Sequence, residues 1–379
     1  MDDGPAKSER GNTTSARPAP GLAAGTGPKL VTMSPRAAFE RGLGFRSALT
    51  AKPDASHALR VFSGAVDGMD GVYVDVYGPG AVMNVYEGRT PTGFDPATAA
   101  PDLLAVLGPI GVKAVYHKPF ARDRSQLGGE LPACVTEATP AAGAALPEAI
   151  LIREERWNLE IRLYDGLSTG LFLDQRENRR FVCEWCARLV SQNKQPPAVL
   201  NTFAYTCAFS VAAAVGGALT TSVDVSGRYL EWGKRSFGHN AIDIAPHRFA
   251  KMDTFEFFNY ARRKGLMYDL VILDPPSFAS GSRKKGIRPW SAVTDYARLV
   301  WEAAGLLNTG GVILASTNTQ ELCVPGRLER EITRGLAGPR DGAGLTQADI
   351  ARPRWIKLPA VSADFAREKG RFAALAFSV

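Results

Sequence analysis

The sequence predicts an α/β protein whose second half forms a doubly wound parallel sheet, preceded by a smaller α+β unit. Three observations predict it. Beyond Gly166, short apolar runs alternate with amphipathic stretches of helical period. Those runs are nearly unbroken, as expected of strands covered on both faces. Before Gly166, runs of strand period follow one another through Gly-rich turns, the grammar of an antiparallel sheet.

In chain order, residues 1–33 are rich in Gly, Pro, Ala, Ser and Thr and lack periodicity, so a disordered tail is expected. SPRAAFERGLGFRSAL reads as an amphipathic helix capped by Ser34, with Pro35 in its first turn. ALRVF, VYVDVY and AVMNVY, separated by SGAVDGMDG and GPG, read as an antiparallel meander. A helix over 97–107, a strand in GVKAVYH, a loop over 137–148 and a hairpin in AILIREERWNLEIRLYDG complete a first domain over 34–165.

The second domain, 166–379, opens with the helix RENRRFVCEWCARLVSQ. The strands AVLNTFA, LTTSVDV, HRFAKMD, YDLVILD and GGVILAST then alternate with the helices FSVAAAVGG, GRYLEWGKRSFGHN, TFEFFNYARRK and SAVTDYARLVWEAAGLL.

A chain of 379 residues that is 45% hydrophobic can fill a substantial core. No apolar run approaches the roughly 20 residues of a membrane helix, and MDDGPAKSER carries three acids without an apolar stretch, so no membrane partner and a cytoplasmic location are expected. The five cysteines are odd in number and scattered, which argues against a disulfide framework. CEWC lies at helical spacing with no second pair or histidines nearby, so no metal is expected. The net charge of +7 fits a nucleic-acid partner and equally fits none. Basic residues gather in ARRKG and in SGSRKKGIRP. Homodimerisation is left open.

Ligands of doubly wound sheets bind at the carboxyl ends of the strands, where strand order reverses. Three acids end strands there: Asp224, Asp253 and Asp274. Asp224 follows Asn201 by 23 residues, near the spacing of about 20 at which an acid reaches a ribose diol. A plain helix cap is the other reading of that position. After the first strand the chain reads FAYTCAFS, without phosphate-cradling glycines, so a dinucleotide or nucleoside triphosphate is disfavoured. An adenosine-bearing ligand without phosphates fits better, and S-adenosylmethionine is the common one.

LVILDPPSFASG spends a strongly apolar strand on delivering Asp274 to two prolines, which cannot donate backbone hydrogen bonds. The stiff exit leaves the carbonyls of Asp274 and of Pro275 and Pro276 without a neighbouring strand, as acceptors for the nitrogens of a base. Phe278 offers a face for stacking. A strand-ending turn with a capping serine is the bland alternative.

In VFSGAVDGMDGVYVDVYG, GLSTGLFLDQRENRRFV, the stretch from VLNTFAYTC to KRSFGHN, and LVILDPPSFASGSRKK followed by ILASTN, the chain resembles the class I S-adenosylmethionine-dependent ribosomal RNA methyltransferases of the RlmI and RlmK type. The resemblance runs from about His57 to Val379. It implies a Rossmann-like methyl-transfer domain preceded by an α+β domain that helps to hold RNA. Carried over by position, Asp224 binds the ribose hydroxyls, Asp253 the adenine amino group, and Asn201 with Phe203, Ala204, Tyr205 and Thr206 surrounds the methionine part. Gln175, Arg176 and Asn178 close over the cofactor, and Asp274, Pro275, Pro276, Ser277 and Phe278 clamp the acceptor base. Separately, the basic run beside the DPPSF turn suggests Lys284, Lys285 and Arg288 as phosphate contacts bordering that cleft, Trp290 as a base-stacking residue and Asn318 as a further base contact.

Two departures bear on the reaction. The family often carries an N-terminal PUA domain, whose place here is taken by the short tail. Methylation at carbon 5 of cytosine needs a thiolate that adds to the ring, yet the expected loops hold Ser277 and Ser316 to Thr319, and neither Cys207 nor Cys323 is well placed. Nitrogen methylation of guanine in large-subunit ribosomal RNA is therefore favoured over cytosine carbon-5 methylation. A non-catalytic RNA-binding or assembly factor, or a methyltransferase for small molecules or proteins, are the other readings.

Overall fold

The computed structural model describes residues 33–51, 57–121, 131–281, 288–338 and 352–379. The basic positions Lys284 and Lys285, and the tail to residue 32, lie outside the described residues.

Helix α1 (Pro35–Gly44) begins where expected, Ser34 accepting from the Ala37 N–H. The expected single helix breaks before α2 (Ser47–Thr50). Between them Arg46 turns inward, donating to the Gly42 carbonyl and Ser63 Oγ, and its guanidinium pairs with buried Asp67 at 2.8 Å. Strands β1 (Ala58–Ser63), β2 (Val72–Tyr77) and β3 (Gly80–Tyr86) form the expected meander. Helix α3 (Pro96–Leu107), capped by Asp95, then crosses to β4 (Ala114–Phe120), which pairs parallel to β3, and the two-residue β5 (Ala142–Gly143) closes the edge. Phe39, Val61, Val74 and Leu103 share its core. The hairpin of β6 (Ile150–Glu154) and β7 (Trp157–Ile161) forms a separate two-stranded sheet.

The second sheet follows. Its elements are α4 (Arg176–Asn193), β8 (Ala198–Thr202), α5 (Ala208–Val215), β9 (Leu219–Asp224), α6 (Gly227–Gly238), β10 (Arg248–Lys251), α7 (Thr254–Arg263), β11 (Tyr268–Leu273), β12 (Phe278–Ala279), β13 (Trp290–Ser291), α8 (Ala292–Ala304), β14 (Leu307–Thr317), α9 (Arg327–Leu336), β15 (Arg354–Ile356) and β16 (Ala373–Ser378). Seven of the strands form one sheet in the order β10-β9-β8-β11-β14-β16-β15, while β12 and β13 make a short ribbon. All neighbours from β10 to β14 are parallel, and β16 runs antiparallel to both β14 and β15.

The side-chain period of two explains why the apolar runs are unbroken. Leu270 and Ile272 pack with Phe181, Trp185 and Phe209, whereas Val271 and Leu273 face the opposite layer with Phe258, Tyr296 and Ile332. Both cysteines of CEWC are buried in this packing, Cys183 accepting a hydrogen bond from Arg156 at 3.1 Å. The β6–β7 hairpin seats Trp157, Leu159 and Ile161 against Cys207, Val211 and Phe237.

Ion pairs join the two sheets. Arg176 pairs with Asp364 at 3.0 Å, both buried, and also donates to the Ala58 carbonyl. Arg60 bridges Asp75 and Glu368. Removing one partner of such a buried pair leaves an uncompensated charge, a loss of about 3–5 kcal/mol. Among the described residues no helix is long and apolar enough to cross a membrane.

Candidate cofactor and acceptor site

Strand order reverses between β8 and β11, so the crevice opens beyond Thr202 and Leu273. From Thr202 the chain turns through Phe203, Tyr205 and Cys207, all left-handed, with φ of 54°, 49° and 61°. Such conformations cost a non-glycine residue on the order of 1 kcal/mol or more each. Surrounding bonds hold them. Ala204 N–H donates to the Val223 carbonyl, Tyr205 N–H to Asp224, and Thr206 Oγ1 to the Gly170 carbonyl. Cys207 Sγ fills the space above Gly233, where an added Cβ would meet it at 2.5 Å. The lack of glycine in FAYTC therefore did not mean the lack of a tightly wound loop. It means that Phe203 and Tyr205, rather than bare backbone, line the cavity beside the loop.

Asp224 ends β9 with both carboxylate oxygens in use, Oδ1 accepting from Ser226 N–H at 2.8 Å and Oδ2 from Tyr205 N–H at 2.9 Å. It thus is a turn cap and a cavity wall at once. Burial pushes its carboxyl upward from the usual range. Its remaining lone pairs border a cavity of about 360 Å³ that is also lined by Gln175, Phe203, Tyr205, Asp274, Pro275, Pro276 and Asn318. A smaller adjoining recess is bordered by Asn201, Ala204 and Thr206. Asn201 is buried and donates to Ser210 Oγ.

Asp274 stands at the far wall. A relay aims it: Asn178 Nδ2 donates to Gln175 Oε1 (2.7 Å), Gln175 Nε2 to Ser316 Oγ (2.9 Å), and Ser316 Oγ to Asp274 Oδ1 (2.7 Å). Burial, reinforced by the nearby Asp174 charge, raises its carboxyl to about 6.

The DPPSF turn is held differently from the sequence expectation. The Pro276 carbonyl is not free: Trp290 Nε1 donates to it at 2.7 Å, and Ala292 N–H donates to the Ser277 carbonyl. Trp290 is accordingly no base-stacking residue. It is 7% exposed and packs against Phe203 and Phe255, an internal strut beneath the turn. Ser277 Oγ donates to Asn318 Oδ1 at 3.0 Å, tying the end of β14 to the same turn. Phe278 is 67% exposed, as a stacking face requires, and Arg288 is exposed.

Three expected cofactor residues border neither the cavity nor its recess, and one of them, Asn178, acts only through Gln175. Arg176 spends its guanidinium on Asp364, Ser362 and the Ala58 carbonyl, because burial forces a charge to find its partners. Asp253 caps α7, accepting from Phe255 and Glu256 N–H. The structure adds Ser168, Phe172, Asp174, Tyr229 and Phe372 to the wall. Lys118 Nζ, fully buried in the first sheet, donates to the carbonyls of Gly166, Leu167 and Ser168 beneath it. GLFLDQREN contained the signal for Phe172 and Asp174. Phe372 had none, since only the antiparallel return of β16 beside Thr317 carries it there.

A doubly wound sheet with a single antiparallel strand, a cavity-lining acid after the second strand and an acid-Pro-Pro turn after the fourth mark the class of nucleoside-cofactor transferases. The donor set fits adenosine, since Asp224 keeps free lone pairs at the cavity and aromatic walls replace a phosphate cradle.

Residues 142–337 match the S-adenosylmethionine-dependent methyltransferase family, and the chain belongs to it. It is 37% identical over 263 residues to YwbD of Bacillus subtilis, named as a candidate ribosomal RNA large subunit methyltransferase, covering 69% of this chain and 61% of that one. It is 30% identical over 249 residues to the ribosomal RNA large subunit methyltransferase K/L of Saccharophagus degradans, 65% of this chain and 31% of the other. The chain thus spans less than two thirds of either relative. Among solved structures, SMU.776, described as a candidate methyltransferase complexed with SAH, superposes with a TM-score of 0.72 at 28% identity, over 91% of this chain and 81% of that one. S-adenosylmethionine is the cofactor of this family.

Proposed function

We propose that this protein methylates a base of large-subunit ribosomal RNA, at a nitrogen of guanine. The observation that carries the reading is the composition of the acceptor wall: Asp274, Pro275, Pro276 and Asn318 line it, with Ser277 bonded to Asn318 behind, and no cysteine lines that cavity among the described residues. Transfer to a nitrogen that carries hydrogen needs an aligned lone pair, a dry site and an acceptor for the released proton, and Asp274 would supply the last. Carbon-5 transfer needs a thiolate. Cys207 is fully buried, its thiol pushed up to about 12, and Cys323 faces a different cavity with its thiol pushed up to about 11, both by burial.

The names of the relatives support ribosomal RNA as substrate. Asp224, with the Phe203–Thr206 loop, would hold the adenosine and methionine parts of the cofactor. Asp253 would act through the helix it caps. The division at residue 165 into an RNA-holding module and a transfer domain belongs to the same proposal, with Arg288 and Phe278 on the RNA side. The cofactor brings an electrophilic methyl group, and the chain's task is to align the base and take its proton.

Tritium transfer from labelled cofactor to undermethylated ribosomal RNA, free nucleosides and bulk protein tests the substrate class. Digestion of the modified RNA to nucleosides, with mass identification, tests the atom. Methylguanosine is the expected product. Carbon-5 methylcytidine refutes the nitrogen reading, and RNA binding without transfer or cofactor affinity refutes the enzyme.

A further inference from the structure

Behind the main cavity lies a second one, of about 310 Å³, between the segment after β14, the start of α9 and the start of β16. Leu322, Cys323, Val324 and Val361 form much of its wall. Asp174 and Phe372 border both cavities and so stand at their junction.

Asp174 differs from the two other acids of the site. Asp224 holds two backbone N–H groups and Asp274 holds the Ser316 hydroxyl. The half-buried Asp174 carboxylate accepts no hydrogen bond from any described residue, although Arg60 and Arg179 act on it through space. A carboxylate without protein donors that opens on two cavities keeps its acceptor lone pairs available there. At the mouth of two cavities a ligand can supply the donors.

The geometry of a carboxylate, two acceptor oxygens side by side, matches two adjacent N–H donors on one edge of a ring. Among RNA bases guanine alone presents such a pair, its ring N–H beside its exocyclic amino group, whereas the others place acceptors next to their donors. Phe372 at the same junction offers an aromatic surface to the base.

Resting on the methyl-transfer reading above, we propose that the acceptor base sits in the main cavity with one edge toward the junction, and that Asp174 selects guanine by accepting from its paired N–H edge. A base held so keeps its second amino N–H for Asp274, which lines the same cavity with Asn318: the amino nitrogen gains the methyl group as the cofactor's carbon–sulfur bond breaks, and Asp274 takes the proton.

Asp174→Asn, an isosteric change, tests it with three readouts: methyl transfer to an undermethylated large-subunit RNA transcript, affinity for S-adenosylhomocysteine by calorimetry, and binding of guanosine and inosine monophosphates to the S-adenosylhomocysteine-loaded protein. Transfer is expected to fall about 100-fold or more while S-adenosylhomocysteine affinity is kept. The wild type should prefer guanosine over inosine monophosphate about tenfold, and the variant should not. Val324→Trp, placed on the exposed rim, should fill the second cavity and give the same split between transfer and cofactor affinity. Transfer near wild type in Asp174→Asn, equal binding of the two nucleotides by the wild type, or a parallel loss of S-adenosylhomocysteine affinity each overturn the inference alone. A wild type that methylates no RNA overturns the broader reading with it.

Discussion

Replacing Asp274 by Asn should make the protein more stable and nearly inactive. The carboxyl is moved from 3.8 to about 6, first by burial and then by the Asp174 charge. A shift of that size destabilises the folded state by about 3 kcal/mol at neutral pH, an upper figure because the side chain reaches the cavity. The sign follows from linkage. Above pH 6 both folded and unfolded chains carry the charge and the whole penalty is present. As pH falls from 6 toward 3.8 only the folded state takes up the proton, so the penalty shrinks to about 1 kcal/mol at pH 4.5 and is gone below 3.8.

Asn keeps the shape and can still accept from Ser316, so the variant should gain about 1–3 kcal/mol at pH 8. That corresponds to about 2–4 °C in Tm per kcal/mol for a large domain. Melting curves of both proteins at pH 8 and 4.5 give the difference, and transfer assays with calorimetry give the functional side. Transfer should drop about 100-fold or more with cofactor affinity largely kept. A variant that melts no higher than wild type at pH 8, or whose advantage is unchanged at pH 4.5, refutes the electrostatic argument. Cofactor affinity lost in parallel refutes the assignment of Asp274 to the acceptor.

In the wild type, kcat/KM should fall about tenfold per pH unit below pH 6, as Asp274 gains its proton and can no longer accept one; a pH–rate profile flat to pH 5 would contradict this. Gly233→Ala drives a Cβ against Cys207 Sγ and Cβ, at 2.5 and 2.7 Å, so it should cost about 1–3 kcal/mol in urea titrations and weaken cofactor binding through the left-handed loop. Trp290→Phe removes the donor to the Pro276 carbonyl and should cost about 1–3 kcal/mol, with transfer reduced more than S-adenosylhomocysteine affinity in the same preparation. Cys323→Ser should remain active; a dead variant, together with a covalent RNA adduct trapped by the wild type, would restore the cytosine reading.

Much of this was legible in order along the chain. Strands buried on both faces need apolar residues at every position, and helices need one stripe, so LVIL and TFEFFNYARR declare themselves locally. The acids at 224 and 274 could be placed at the sheet's edge for the same reason: a strand's end is written in its last apolar residue. Those two therefore required nothing but period and composition.

What the linear order hides is which partner each polar group finds. The stretches around Arg176 and Trp290 suggest ligand contacts, yet Asp364 and the Pro276 carbonyl claim these two side chains through space. The wound conformation at 203, 205 and 207, reached without glycine, depends on Val223, Asp224 and Gly170 as outside partners. Phe372 reaches the cavity only because β16 runs back against β14. Local periodicity is a short-range property and so determined the elements and the strand-end acids. Satisfaction of buried charges and hydrogen bonds is a long-range one, and the tertiary structure alone decided it.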